Sequence, residues 1–360
     1  MNIRHIILGV VIIMIIIAIS LLSTNKSNGE IKKEEIKIAA TSSTQERIEA
    51  KSSKYPSAIE LVNPQGYINT DNITLKELVG KKVILIDFWT YSCINCQRTL
   101  PHLTEWYDKY SDEGLEIIGV HTPEFEFEKD YDNVLRATQK WNVKYPVVQD
   151  NDYETWRAYG NRYWPRKYLI DIDGFIVYDH IGEGKYAETE RKIQELLEER
   201  KNILKTDDEI TTDISTDITA VGFEKEKTTE IYLGYERGIS RNQMGNNEGW
   251  HKDEKTNFEE PQKTDLNKFY FVGNWEINAE KAIPRDETAR IILDYRAKSV
   301  NLVAGSEEIA DIKVVLDGED INVIQVKDED LYNLVDAKYS RHTIEITIPK
   351  GVEVYTFTFG

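Results

Sequence analysis

The sequence predicts two folded units in series: an α/β unit over residues 56–204 and an all-β sandwich over residues 222–360. An apolar N-terminal segment precedes them. Three observations predict this. An apolar run over residues 83–88 passes through a short turn into a helical pattern that begins at Cys93. Up to residue 204 the periodicities follow the order strand-helix-strand-helix-strand-strand-helix, which is an α/β alternation. From Phe223 the pattern changes to short strands of alternating polarity separated by turn signals, the mark of a sandwich.

At the front, Arg4 precedes an uncharged apolar run over residues 6–22. As a helix this run would span ~25 Å, at the short end for a bilayer. Arg4 before it, and no Lys or Arg after it until Lys26, set the N-terminus in the cytoplasm and the rest outside. The preferred reading is an uncleaved signal anchor over residues 1–22, a single-pass transmembrane helix in the cell membrane. A cleaved signal peptide is the alternative, since Ala18-Ile19-Ser20 has the form of a cleavage site, although inside the run. Residues 23–55 are rich in Ser, Thr, Lys, Glu and Asn and read as a flexible tether.

Within the α/β unit, residues 59–62 and 66–69 suggest a leading hairpin, and residues 73–80 a helical turn closed by Gly80. Residues 94–110 read as a helix with Leu100, Leu103, Trp106, Tyr107 and Tyr110 on one face and a kink at Pro101. A second buried strand is expected over 115–121, a helix over 130–141, a short strand over 146–148 and a helical turn over 153–159. Residues 167–172 and 175–181 flank Asp173-Gly174, a strong hairpin signal. An amphipathic helix over 186–204 closes the unit. Residues 205–221, rich in Asp and Thr, read as a linker. Strands are then expected over 229–233, 268–272, 275–278, 289–295, 299–304, 312–316, 321–325, 332–335, 342–348 and 352–359, with 236–265 as a long polar loop.

The net charge of −18 argues against nucleic-acid binding, which needs basic patches. Cys93 and Cys96 are the only two cysteines in the 360 residues. Outside the cytoplasm such a chain carries no structural disulfide framework, so the pair is kept for chemistry. A zinc site would need two further Cys or His ligands, and the six histidines are scattered singly, so no metal or cofactor is expected. A disulfide across two residues closes too small a loop to stabilise much. A redox pair remains: a thiol at a helix N-terminus meets unpaired N–H groups and the positive end of the helix dipole, and both favour the thiolate.

Asp87-Phe88-Trp89-x-x-x-Cys93-x-x-Cys96 resembles the thioredoxin active-site signature. The longer string from Asp87 through Arg98-Thr99-Leu100-Pro101 is similar to the thioredoxin domain of DipZ-type cytochrome c biogenesis proteins, relatives of the TlpA-like and ResA-like extracytoplasmic thioredoxins. The stretches Tyr232-Leu233-Gly234-Tyr235, Gly273-Asn274-Trp275 and residues 355–360 resemble the C-terminal sandwich of the same proteins, which looks like a carbohydrate-binding module. The resemblance covers about residues 56–360. It implies a thioredoxin fold, with one anchor in place of that family's multi-helix membrane domain.

Cys93 is expected to attack a substrate disulfide and Cys96 to resolve the mixed disulfide. Asp87, a lone acid in an apolar run, is the expected proton acceptor for Cys96; an ordinary strand-end acid is the alternative. The resemblance makes Pro165 a cis-proline facing the cysteines, with Trp164 offering its backbone to substrate, against the reading of a simple loop proline. Trp89 and Tyr91 should frame the cysteines as apolar cover and substrate-facing surface. ResA-like relatives carry a functional acid near the motif, and Glu124 is the candidate for tuning, against a solvated loop residue. Ile94-Asn95 lacks the proline that thioredoxin has between its cysteines.

The expected function is extracytoplasmic thiol–disulfide exchange, with disulfide-containing proteins such as apocytochrome c as substrates. The resemblance leans toward reduction, and then electrons would come from a CcdA-like or DsbD-like membrane partner. A thiol oxidase on the same fold is one alternative. A glycan-binding cell-wall protein is another, with Trp250 and Trp275 as candidate sugar-stacking rings, although Trp275 also fits a strand core.

Overall fold

The computed structural model describes residues 42–215 and 227–360. The apolar run 6–22 and residues 216–221 of the expected linker lie outside the described residues. No described helix is long and apolar enough to cross a membrane.

Residues 42–55 are not the tether the composition suggested. Helix α1, Ser42–Ser52, buries none of its residues and is fastened by charge. Arg47 donates through Nε and Nη2 to the two oxygens of Asp173, each at 2.7 Å. Lys51 Nζ bonds Asp171, Asp173 and Glu199 at 2.7, 2.8 and 2.6 Å. Local composition registers the polar side chains but not the carboxylates, which come from more than a hundred residues away.

The α/β unit continues with β1 (Gly66–Ile68), α2 (Leu75–Leu78), β2 (Val83–Trp89), α3 (Ile94–Tyr110), β3 (Leu115–His121), α4 (Tyr131–Lys140), β4 (Val147–Gln149), α5 (Glu154–Ala158), β5 (Arg166–Ile170), β6 (Ile176–Ile181) and α6 (Tyr186–Leu204). The sheet order is β1-β4-β3-β2-β5-β6, with β2, β3 and β4 parallel and β5 antiparallel to β2. β2 lies inside this sheet and is buried on both faces, which explains its continuous apolar run. Val83, Leu85 and Trp89 face the cluster built by α3, α4 and α6; Ile84, Ile86 and Phe88 face a second cluster. Asp87 falls on the first face by alternation.

The leading hairpin does not form. β1 pairs antiparallel with β4 instead. Glu60, expected in a strand, accepts from the N–H groups of Leu75 at 2.8 Å and Lys76 at 3.0 Å, satisfying the start of α2. After α6 the chain stays on the unit: Glu113 accepts from Thr211 and Glu190 from Ser215.

Beyond residue 227 the regular structure is mostly strand: β7 (Ile231–Tyr232), β8 (Lys255–Phe258), β9 (Lys268–Ile277), β10 (Ala282–Pro284), β11 (Ala289–Gly305), β12 (Ala310–Leu316), β13 (Glu319–Val326), β14 (Asp330–Ile348) and β15 (Glu353–Phe359). They form one hydrogen-bonded network, β13-β12-β14-β11-β15-β10-β9-β8, with β7 on β15. The network folds about β11, whose residues 290–294 pair with β9 and whose residues 300–305 pair with β15. Several expected pairs of short strands are therefore single bent strands. The register shifts between Ala297 and Ser299, so a bulge turns the strand where alternation suggested an end. The expected loop 236–265 holds β8 and a short helix, α7 (Tyr235–Arg241). Gly238 obscures that helix in the sequence. Any Cβ there would stand 2.4 Å from the Trp250 ring. Trp275 is fully buried and its Nε1–H donates to Val272 O at 3.0 Å, so it is a core residue and offers no ring to a sugar.

Candidate active site

Cys93 occupies the N-cap of α3 with extended backbone (φ −78°, ψ 119°), and its carbonyl accepts from Gln97 N at 2.9 Å. Both cysteines are free thiols; Cys93 is half-buried and Cys96 buried. The helical turn sets Cys96 beneath Cys93, where its thiol hydrogen-bonds Cys93 and burial pushes its pKa well above the usual thiol value. One sulfur is thus presented outward and the other is held back.

Below Cys96 lies a buried polar group of unusual kind. Asp87 is 1% exposed, and neither carboxylate oxygen has a hydrogen-bond partner. Burial pushes its pKa up to about 7, while Lys167 opposes the rise. Asp87 and Lys167 are directly opposed in the β2–β5 pair, so both side chains lie on one face. Lys167 is fully buried, donates to Gly182 O at 3.2 Å, and has its pKa lowered by burial, with Asp87 and Cys96 acting against that. The hydroxyl of Tyr145, also buried and unpartnered, feels both Asp87 and Cys96. Sequence reasoning found Asp87 and missed Lys167. The signal was available: β5 reads Arg-Lys-Tyr-Leu-Ile, and a central strand has no solvent face for its second residue.

Beside the motif sits a second buried acid, Glu128. It accepts from Ser92 Oγ at 2.6 Å, Ser92 N at 3.4 Å and Phe125 N at 3.0 Å, and also from Glu124 N. It ties the turn before Cys93 to the loop after β3. Burial raises its pKa and these donors lower it. Nothing local marks Glu128, which stands in a run of alternating Glu and Phe that looks solvated.

The remaining expected site residues fall as follows. Trp164-Pro165 is a cis peptide. Trp164 packs against the cluster that holds both cysteines and donates from Nε1 to Thr122 O at 3.0 Å. Trp89 is fully buried and Tyr91 nearly so; they support the motif from inside and are not the substrate-facing surface expected of them. Tyr91 stacks on His121 and its hydroxyl donates to Glu329 O of the β unit at 3.2 Å. Glu124 is not a solvated loop residue, nor does its carboxylate face the cysteines. It is clamped by Arg237 and by Tyr232 Oη at 2.7 Å, both from the β unit. Around this clamp Phe125 and Phe127 pack on Tyr355 and Val303. Among the described residues, the carboxylates close enough to share a cation are Asp171, Asp173 and Glu199, and Lys51 Nζ already bridges them.

Comparison with known proteins agrees with this geometry. The AhpC/TSA family profile matches residues 55–179, and a profile described as the thioredoxin like C-terminal domain matches residues 228–360. Protein DipZ of Mycobacterium bovis and of Mycobacterium tuberculosis is 36% identical over 307 residues, which is 84% of this chain and 43% of DipZ. The chain therefore spans less than half the length of those relatives. Thiol-disulfide oxidoreductase ResA of Halalkalibacterium halodurans is 35% identical over 128 residues, 36% of this chain and 67% of ResA. Thiol-disulfide oxidoreductase YkuV of Bacillus subtilis is 29% identical over 140 residues, 39% of this chain and 93% of YkuV. With an outward and an inward sulfur at a helix start, and with these relatives, the chain belongs to the thioredoxin-like thiol–disulfide oxidoreductases, in the DipZ-like arrangement that joins an AhpC/TSA-type domain to a thioredoxin-like C-terminal domain.

Proposed function

We propose that the protein is a membrane-tethered, extracytoplasmic reductant of protein disulfides. The observation that supports the exchange chemistry best is the graded pair: Cys93 half-exposed at the mouth of α3, Cys96 buried beneath it above the unpartnered carboxylate of Asp87. The Cys93 thiolate attacks one sulfur of a substrate disulfide. An S–S bond forms to Cys93, and the other substrate sulfur leaves and takes up a proton. Cys96 then loses its proton to Asp87 and attacks Cys93 Sγ. The mixed disulfide breaks, the second substrate sulfur leaves and is protonated, and two electrons have passed to the substrate, leaving Cys93–Cys96 oxidised. Trp164, which packs against the cluster that holds the cysteines, and Pro165 are assigned to substrate alignment.

The resemblance to cytochrome c biogenesis proteins suggests apocytochrome c as substrate. A membrane donor of the CcdA or DsbD kind would restore the dithiol, and the apolar run 6–22 would hold the enzyme at the membrane. The C-terminal domain's likeness to a carbohydrate-binding module supports glycan binding only as a secondary role.

Trapping tests this. In Cys96→Ser the second step is blocked, so substrates should remain disulfide-linked to Cys93, releasable by dithiothreitol, while Cys93→Ser captures nothing. Equal capture by both variants would overturn the assignment. A reduction potential near −270 mV fits a reductant, and one near −120 mV fits an oxidant.

A further inference from the structure

The face of the β unit that meets the α/β unit is ordered in rows. Val303 is opposed by Leu331 on β14 and by Thr356 on β15, which is opposed by Tyr232 on β7. Val303, Leu331 and Tyr232 pack with Phe125 and Phe127, so this row makes the contact between the units. Two residues along β11 the chemistry changes. Asn301 is opposed by Asn333 on one side and Thr358 on the other, and by alternation these three share the face that Val303 occupies. A polar row thus follows an apolar one across three adjacent strands.

That polar row lines two clefts against the start of α3. One, of about 370 Å³, lies between Asn301 and Asn333 on one wall and Ile94, Gln97 and Arg98 on the other. The second, of about 300 Å³, lies between Thr358 and the pair Ile94, Asn95. Ile94, the residue after Cys93, borders both. Asn301 is 3% exposed and Thr358 is 5% exposed, yet Asn301 Nδ2 and Thr358 Oγ1 have no hydrogen-bond partner, nor does Asn95 Oδ1. Asn301 Oδ1 is occupied by Asn333 Nδ2 at 2.9 Å, which leaves the amide's own N–H groups unmade. Buried polar atoms are costly to leave unmade. Three of them, Asn301 Nδ2 and Thr358 Oγ1 from the β unit and Asn95 Oδ1 from the motif, belong to residues that line the two clefts beside Ile94.

We infer that the row Asn333–Asn301–Thr358 is a substrate rail: it binds the backbone of the extended polypeptide segment that carries the half-cystine attacked by Cys93. A polypeptide backbone presents N–H and C=O groups in alternation, which matches one amide donor and one hydroxyl. The occupant is the substrate segment that flanks the attacked sulfur, since both clefts adjoin Ile94, the residue after Cys93. The β unit is then a specificity element for extended protein substrates, and this role rests on the exchange chemistry proposed above.

The test compares two disulfides in single-turnover oxidation of the reduced full-length protein: hydroxyethyl disulfide, too small to reach the row, and insulin. Thr358→Val removes only an unpartnered hydroxyl and preserves shape, so its thermal midpoint should not fall. Asn301→Ala tests the donor. Each variant should oxidise with insulin about tenfold more slowly at low concentration, and with hydroxyethyl disulfide at the wild-type rate. Equal slowing with both oxidants, or slowing with neither, overturns the rail while leaving the redox pair intact. A wild type that reacts with neither disulfide overturns the exchange chemistry itself.

Discussion

Two buried carboxylates border the cysteines and are kept in opposite ways. Glu128, beside the motif, is saturated with donors from Ser92, Glu124 and Phe125. Asp87, beneath it, has none. A saturated acid fixes geometry, because moving any donor costs a charge-assisted hydrogen bond. An unsatisfied acid fixes nothing, and its isolation holds its pKa near neutrality, where a proton can be taken and given back. Glu128 ties down the turn before Cys93, whereas Asp87, in the mechanism proposed above, takes the Cys96 proton.

The largest effect expected from breaking this contrast is at Asp87. Asp87→Asn leaves shape unchanged and removes the proton acceptor, so resolution of the mixed disulfide should slow by about 10²-fold, with the initial attack by Cys93 unaffected. Rapid-quench capture of the mixed disulfide separates the two steps; unchanged resolution removes Asp87 from the mechanism. The same variant has a stability signature. Burial raises the Asp87 pKa from 3.8 to about 7, so the folded state holds this proton more tightly than the unfolded chain. That contribution is whole below about pH 4 and is lost as pH rises through 7. Asp87→Asn should therefore stabilise at pH 8 by up to ~4 kcal/mol relative to its effect at pH 4. Denaturant titrations at the two pH values check this, and an equal difference at both would contradict it.

Glu128 should behave the other way. Glu128→Ala strands its donors inside the protein and should cost about 3 kcal/mol, with Glu128→Gln restoring part of it. Because Ser92 adjoins Cys93, both variants should also change the alkylation rate of Cys93. A destabilised protein with wild-type alkylation would confine Glu128 to a structural role.

The contrast also marks what the sequence could reveal. The β2-to-α3 junction was legible because everything that makes it is local: six apolar residues around Asp87, a turn, and a helix face at three-and-four spacing. Asp87 was legible as an intruder in an apolar run. Glu128 and Lys167 were not, since each looks like a solvated charge among charges, and only sheet register or loop closure buries them. The same blindness to distant partners turned α1 into a tether and split β11 at a bulge. Glu124 shows the limit from the other side: its position after β3 was read correctly, but its partners, Tyr232 and Arg237, lie more than a hundred residues away.

The smallest expected effect sits at that clamp, and it sharpens the comparison because Glu124 is neither isolated like Asp87 nor saturated like Glu128. Burial pushes its pKa up to about 7, with Arg237 holding it down. At pH 5 the carboxyl is protonated, and Arg237 donates to a neutral group. At pH 8 it is ionised, and Arg237 is its only cationic partner among the described residues. Arg237→Met should therefore cost little at pH 5 and about 1–2 kcal/mol at pH 8, the reverse of the Asp87→Asn trend. Thermal unfolding at both pH values measures it. A cost that is the same at pH 5 and pH 8 would mean that packing of Phe125 and Phe127 on Tyr355, and not charge, holds the two units together.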